Sequence, residues 1–164
     1  MGSKSAAVHT NATKVLYRDN VPYAIHQYDD EPVGVNAGVG LPADAFDHPK
    51  RVFRTIVTLV DDDPIAALVP VDCVLDTDLA AAAVGAEGAV EADLDTASEV
   101  SGFPPQAISP LGTKSNLSVL IDVSALDFKT IYISAGEDGF TIELSPNDLV
   151  RLTNARTAPI ARHL

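Results

Sequence analysis

The run RVFRTIVTLV, residues 51–60, places β-branched or aromatic residues at most positions and contains nothing that breaks an extended chain. Such a run predicts a strand. Strand residues alternate sides. Val52, Arg54, Ile56 and Thr58 therefore share one face, and Phe53, Thr55, Val57 and Leu59 share the other. Both faces are largely apolar, so the strand is expected to be covered on both. DDDP (61–64) reads as a turn and IAALVPVDCVL (65–75) as a second strand, which makes the pair an antiparallel hairpin. Pro70 has no N–H to give to a ladder, which predicts an edge or a bulge for that second strand.

Four further alternating or β-rich runs predict strands: VPYAIHQY (21–28), AVEAD (89–93), LSVLIDVSAL (117–126) and KTIYISAG (129–136). EDG (137–139) is a tight turn leading into another strand, FTIELS (140–145). Helices are expected over 5–18, ended by Asp19-Asn20, and over 76–85, opened by Asp76 and closed by Gly85. A third spans 95–102, with Asp95 or Thr96 at its start and Gly102 at its end. A fourth, PNDLVRLTNA (146–155), has Ser145 as N-cap, Pro146 at its first position and Asp148 in its first turn. Residues 29–50 are rich in Gly, Pro and Asp and read mostly as loop, with room for one weak helical turn, and 155–164 as a loose tail. No internal repeat is visible. This order predicts an α+β fold. Its mixed, mostly antiparallel sheet of six to seven strands curls into a barrel with peripheral helices. With 164 residues the chain is expected to form one domain over 1–164.

The net charge of −12 removes a generic basic surface, so any contact with nucleic acid must use a local basic spot. One cysteine, Cys73 in PVDCVL, excludes a disulfide framework and reads as a small buried hydrophobe. A reducing, cytoplasmic setting is expected. The opening MGSKSAAVHTNATK lacks the apolar segment of a leader, and no apolar run approaches the ~20 residues of a membrane helix. His9, His26, His48 and His163 show no metal-ligand spacing. Nucleophile-elbow, P-loop and dinucleotide-binding motifs do not occur.

Two features carry chemistry. AISPLG (107–112) lies between SGFPPQ and GTKSN, and its prolines make it stiff, extended and turning. Arg54 sits between Val52 and Ile56, so its guanidinium is partly buried and needs a partner. That partner is either a carboxylate of the protein or an anionic ligand, since Arg binds carboxylate and phosphate alike.

AISPLG, VFRTIV and IDVSALDFKTIYISAGEDGFTIELSPNDLVRLTNA together resemble the YbaK/EbsC family of aminoacyl-tRNA deacylases, relatives of the editing domain of prolyl-tRNA synthetase. The resemblance runs from KVLYRDNVPYAIHQYDDEP to LTNA. It implies a small mixed β-barrel that hydrolyses the ester of a mischarged tRNA such as Cys-tRNA(Pro), without metal or cofactor. The implied partners are the 3′ end of an aminoacyl-tRNA and prolyl-tRNA synthetase, with no membrane and no DNA. The family lysine falls on Arg54, which with Ser109 and Gly112 is the implied catalytic set. Tyr28, Ala107, Ile108, Ser134 and Thr141 are the implied substrate-binding residues. A stiff loop can hold backbone N–H groups toward an ester carbonyl and the oxyanion that develops on it. A non-catalytic module binding an amino-acid-like or nucleotide-like ligand, or docking on a synthetase, is the alternative, motivated by the acidic turn Glu137-Asp138.

Overall fold

The predicted hairpin is the centre of the molecule. In a computed structural model describing residues 9–27 and 49–163, β2 (Phe53–Val60) and β3 (Asp63–Pro70) pair antiparallel from Phe53↔Pro70 to Val60↔Asp63. Asp61 and Asp62 make the turn at φ of 46° and 73°. Asp tolerates this left-handed region better than most residues, and such a turn matches the twist of the strands it joins. The Asp61 carboxylate accepts the N–H groups of Glu87 and Gly88, which leads the chain into β5 (Ala89–Glu91).

The main sheet has the order β5-β2-β3-β6-β9, with β6 at Ser118–Asp122 and β9 at Arg156–Ala158. β3–β6 and β6–β9 are parallel and the others antiparallel. β3 is therefore a central strand, not an edge. Pro70 occupies its last position, where the ladder ends and the chain turns through Val71-Asp72 into β4 (Cys73–Leu75). A second sheet has the order β1-β8-β7, from Ala24–Gln27, Phe140–Leu144 and Ile131–Ser134. β4 pairs with β10 (Ala161–His163).

The α+β class holds, with mixed sheets and four helices among the described residues. The barrel does not. The second sheet meets the first at an isolated bridge, Val52↔Tyr132, rather than along a continuous ladder, and β5 and β9 remain as edges. Among the described residues ten strands replace six or seven, because 65–75 splits in two and the tail adds two more. That tail is not loose over 156–163. Ile160 is fully buried, and the Asp122 carboxylate accepts the N–H groups of Ile160 (2.8 Å) and Ala161 (2.9 Å).

Helix boundaries follow their caps. α1 (Asn11–Arg18) starts on Thr10, which forms a reciprocal capping box with Thr13. α2 (Thr77–Ala83) starts on Asp76. α3 (Leu94–Ser101) starts on Asp93 rather than Asp95 or Thr96, and ends at Gly102 with φ 79°. α4 (Pro146–Thr153) starts on Ser145, as expected, and stops at left-handed Asn154. Beyond Asp122 the expected strand becomes a 3-10 turn, Val123–Asp127, capped by the Asp122 side chain. Both faces of the main sheet are covered. Phe53 and Val57 pack with Leu68, Ile121 and Ile133 on one side. Ile56 and Val60 pack with Val69, Leu75 and Ile160 on the other.

Candidate functional site

β5 pairs only with Thr58–Val60 of β2. Below that point the lower half of β2 borders a cavity of about 130 Å³, roughly ten times what a single water needs. Its wall includes Arg54, Thr55 and Val57 of β2, Ala97 of α3, and Pro105 and Ile108 of the Pro loop. Its rim is exposed at Glu91, Leu94 and Pro105.

Two of the residues lining this cavity, on opposite faces of β2, hold unpaired polar atoms. Arg54 is half-buried, and one arm of its guanidinium donates from Nη2 to the Cys73 carbonyl at 3.2 Å. Its Nε is fully buried with no hydrogen-bond partner among the described residues, and the same is true of Thr55 Oγ1. No carboxylate among the described residues pairs with Arg54. Of the two partners weighed for its charge, a salt bridge is thus absent from the described residues. Buried donors left unpaired cost about 1–3 kcal/mol each, so a ligand that pairs them has that much to recover. Thr55 escaped the sequence reading, although a hydroxyl on the apolar face of Phe53 and Val57 was a signal for it.

The Pro loop is stiff for reasons beyond its prolines. Ala107 donates its N–H to the Pro104 carbonyl, closing a turn, and Leu111 N–H goes to Ser109 Oγ at 3.3 Å. Lys114 N–H reaches the Ser101 carbonyl. Gly136, at φ 88°, lies so close to Phe103 that an added Cβ would overlap the ring. Gly112, at φ 73°, is pressed against α1, where a Cβ would overlap the Asn11 carbonyl. Neither Gln106 nor Ala107 has positive φ, so the turn forms without glycine there.

The implied site residues separate accordingly. Arg54 and Ile108 share the cavity. Ala107 and Ser109 are buried in the loop behind it, and Ser109 Oγ is engaged by the loop's own backbone. Gly112 lines a different groove, on the α1 side of the loop. Ser134 and Thr141 are cross-strand partners on β7 and β8, buried, and outside the lining of the Arg54 cavity. Ser134 Oγ accepts the Gly136 N–H at 3.0 Å, so it shapes the turn that rests on Phe103. Tyr28 lies outside the described residues.

Other titratable groups are engaged in structure. His26 Nε2 lies 2.8 Å from Glu143 Oε1, and Thr130 donates to Glu143 Oε2 at 2.6 Å. Arg51 pairs with Glu143 at 3.3 Å and covers the Tyr132 ring at 4.9 Å. Burial pushes the Glu143 carboxyl up. Hydrogen bonds from Thr130 and His26 and the charges of His26 and Arg51 outweigh it, leaving the group below its usual range. Burial, then the Asp72 charge, pushes the Cys73 thiol up to about 11, which suits a packing residue rather than a nucleophile. Among the described residues no three His, Cys, Asp or Glu side chains are grouped to hold a metal, and no helix is long and apolar enough to cross a membrane.

Known proteins resemble this chain over nearly its whole length. EbsC of Enterococcus faecalis, whose name assigns it as a Cys-tRNA(Pro)/Cys-tRNA(Cys) deacylase, is 27% identical over 168 residues, covering 98% of each chain. A solved structure described as a trans-editing enzyme for prolyl-tRNA synthetase superposes with a TM-score of 0.75 at 17% identity, over 95% of this chain and 99% of that one. Hypothetical protein APE2540 superposes at 0.79 with 18% identity, over 93% of this chain and all of its own. At those identities the two structures speak for the fold. The aminoacyl-tRNA editing domain model matches residues 42–152, which takes in β2, the Pro loop and the Arg54 cavity. The chain belongs to the aminoacyl-tRNA editing domain family.

Proposed function

We propose that the chain is a free-standing deacylase that hydrolyses the ester of a mischarged tRNA such as Cys-tRNA(Pro). The observation that carries this reading is that two neighbouring residues lining the cavity beside the Pro loop, Arg54 and Thr55, each hold a buried polar atom without a partner among the described residues, Nε and Oγ1, one on either face of β2. Arg54 seats an anionic group at the 3′ end, the terminal phosphate of the acceptor strand, through charge-assisted hydrogen bonds. Thr55 orients the aminoacyl end or the attacking water. Ala107 and Leu111 spend their N–H groups inside the loop. The neighbouring N–H groups of Ile108 and Ser109 have no partner among the described residues and are the donors proposed for the ester oxyanion. Ser109 positions those donors through its bond to Leu111 and does not attack the substrate. Docking on prolyl-tRNA synthetase completes the proposal, since the relative described as a trans-editing enzyme is named for that synthetase.

Single-turnover hydrolysis across tRNAs charged with Cys, Ala, Ser and Pro tests it. Release of the amino acid from at least one mismatched pair, lost in Arg54→Ala, is the expected result. No hydrolysis of any species sinks the enzyme reading. A thermal shift with an aminoacyl-adenosine analogue and no turnover would point instead to a binding module.

A further inference from the structure

On the far side of the Pro loop lies a second, larger groove of about 370 Å³ between α1 and residues 110–113. Lys14 and Arg18 line it, four residues apart and so on one face of the helix. Among the described residues the rest of the lining is apolar or neutral polar and contains no carboxylate. That is notable in a chain with 23 acidic residues against 11 Lys and Arg. Tyr17, beside this stripe, is 81% exposed, an aromatic face left uncovered by the described residues. Arg18 touches Asp19 at 3.6 Å, but both are exposed and such a pair is weak and screened. The two cavities share one loop: Ile108 lines the Arg54 cavity and Pro110 the groove, two residues and at most ~7 Å of chain apart.

We propose that this groove binds the phosphodiester backbone of an RNA strand, with Lys14 and Arg18 on consecutive phosphates and Tyr17 stacking on a base. Cations beside an exposed aromatic are the combination that holds single-stranded nucleic acid without reading its sequence. The link to the Arg54 cavity rests on the deacylase reading above. RNA binding by the groove does not.

The test is fluorescence anisotropy of an uncharged RNA hairpin with a single-stranded 3′ CCA end, over a salt series. Lys14→Ala/Arg18→Ala is expected to bind several-fold more weakly. Its log–log salt slope should shrink by about 1.4–1.8, the share of two phosphate contacts. Tyr17→Ala should weaken binding with the slope unchanged. Lys129→Ala/Arg156→Ala changes net charge equally at exposed sites away from the groove and should keep the wild-type slope. Melting temperatures of all variants confirm folding, and Lys14→Gln/Arg18→Gln repeats the measurement if the alanine pair is destabilised. No binding by wild type, an unchanged slope in the groove variant, or an equal loss in the control pair would each overturn the proposal. If the groove result holds while no charged tRNA is hydrolysed, the deacylase reading alone fails.

Discussion

Thr55→Val separates a ligand-facing hydroxyl from a structural one. The Oγ1 atom is buried with no hydrogen-bond partner among the described residues, and valine replaces it with a methyl group of nearly the same shape. Removing an unpaired buried hydroxyl relieves about 1–3 kcal/mol of desolvation, and burying one more methyl adds about 0.8 kcal/mol. A net gain of about 2 kcal/mol raises the melting temperature of a domain this size by about 4–8 °C. Catalysis should move the other way. Losing one neutral hydrogen bond to the substrate, about 0.5–1.5 kcal/mol, lowers single-turnover hydrolysis about 2- to 13-fold. The assay is paired: a melting curve and a deacylation time course on the same preparation. A drop in melting temperature would mean the hydroxyl is part of the fold. A stabilised variant with undiminished hydrolysis would remove Thr55 from the site and leave its strain without a functional account.

Three further outcomes are expected. Arg54→Ala loses a charge-assisted contact of about 1.5–3 kcal/mol, or about 10- to 150-fold in hydrolysis, with a melting temperature near wild type because no carboxylate is stranded; the opposite split, stable turnover and a collapsed melting temperature, refutes the anion seat. Glu143 has a folded pKa below its ordinary value, so its stabilisation is present above the unfolded pKa and is lost as pH falls through the folded one. Acid unfolding of Glu143→Gln below about pH 4.5 should therefore be flatter than wild type, and parallel curves would dissolve the proposed role of the Thr130–His26–Arg51 network. Gly112→Ala places a side chain at φ 73° against the Asn11 carbonyl and should destabilise by more than about 1 kcal/mol, seen as a lower denaturation midpoint at unchanged slope.

What the sequence made legible was local. The β2–β3 hairpin could be read because a run of β-formers meets an acidic turn, and α4 because Ser145-Pro146 is a cap that needs no tertiary partner. Arg54 stood out as one charge between two apolar neighbours. Apart from the start of α3, which a local cap at Asp93 decides, the corrections to the fold depended on distant contacts. β9 and β10 are three residues each and too short for periodicity; they form because Asp122, 38 residues before Ile160, supplies an acceptor. The barrel depended on how two sheets meet, which no run of residues encodes. Gly112 was grouped with Arg54 by the family resemblance, through its match to the loop motif. The docking of α1 decides instead that it faces the other groove.

The pinning of the Pro loop has a kinetic consequence. With Gly136 against Phe103 on one side and Gly112 against Asn11 on the other, the loop cannot swing without dislodging both a turn and a helix. It is thus a fixed wall and not a lid. Among the described residues the cavity's exposed rim lies at Glu91, Leu94 and Pro105. The Pro loop itself thus supplies no closing step to order a substrate, in contrast to sites that assemble when such a loop folds over. If the proposed deacylase reading holds, a wall of this kind sorts acyl groups by the dimensions of the cavity, as a small rigid pocket tells one amino acid from a slightly larger one.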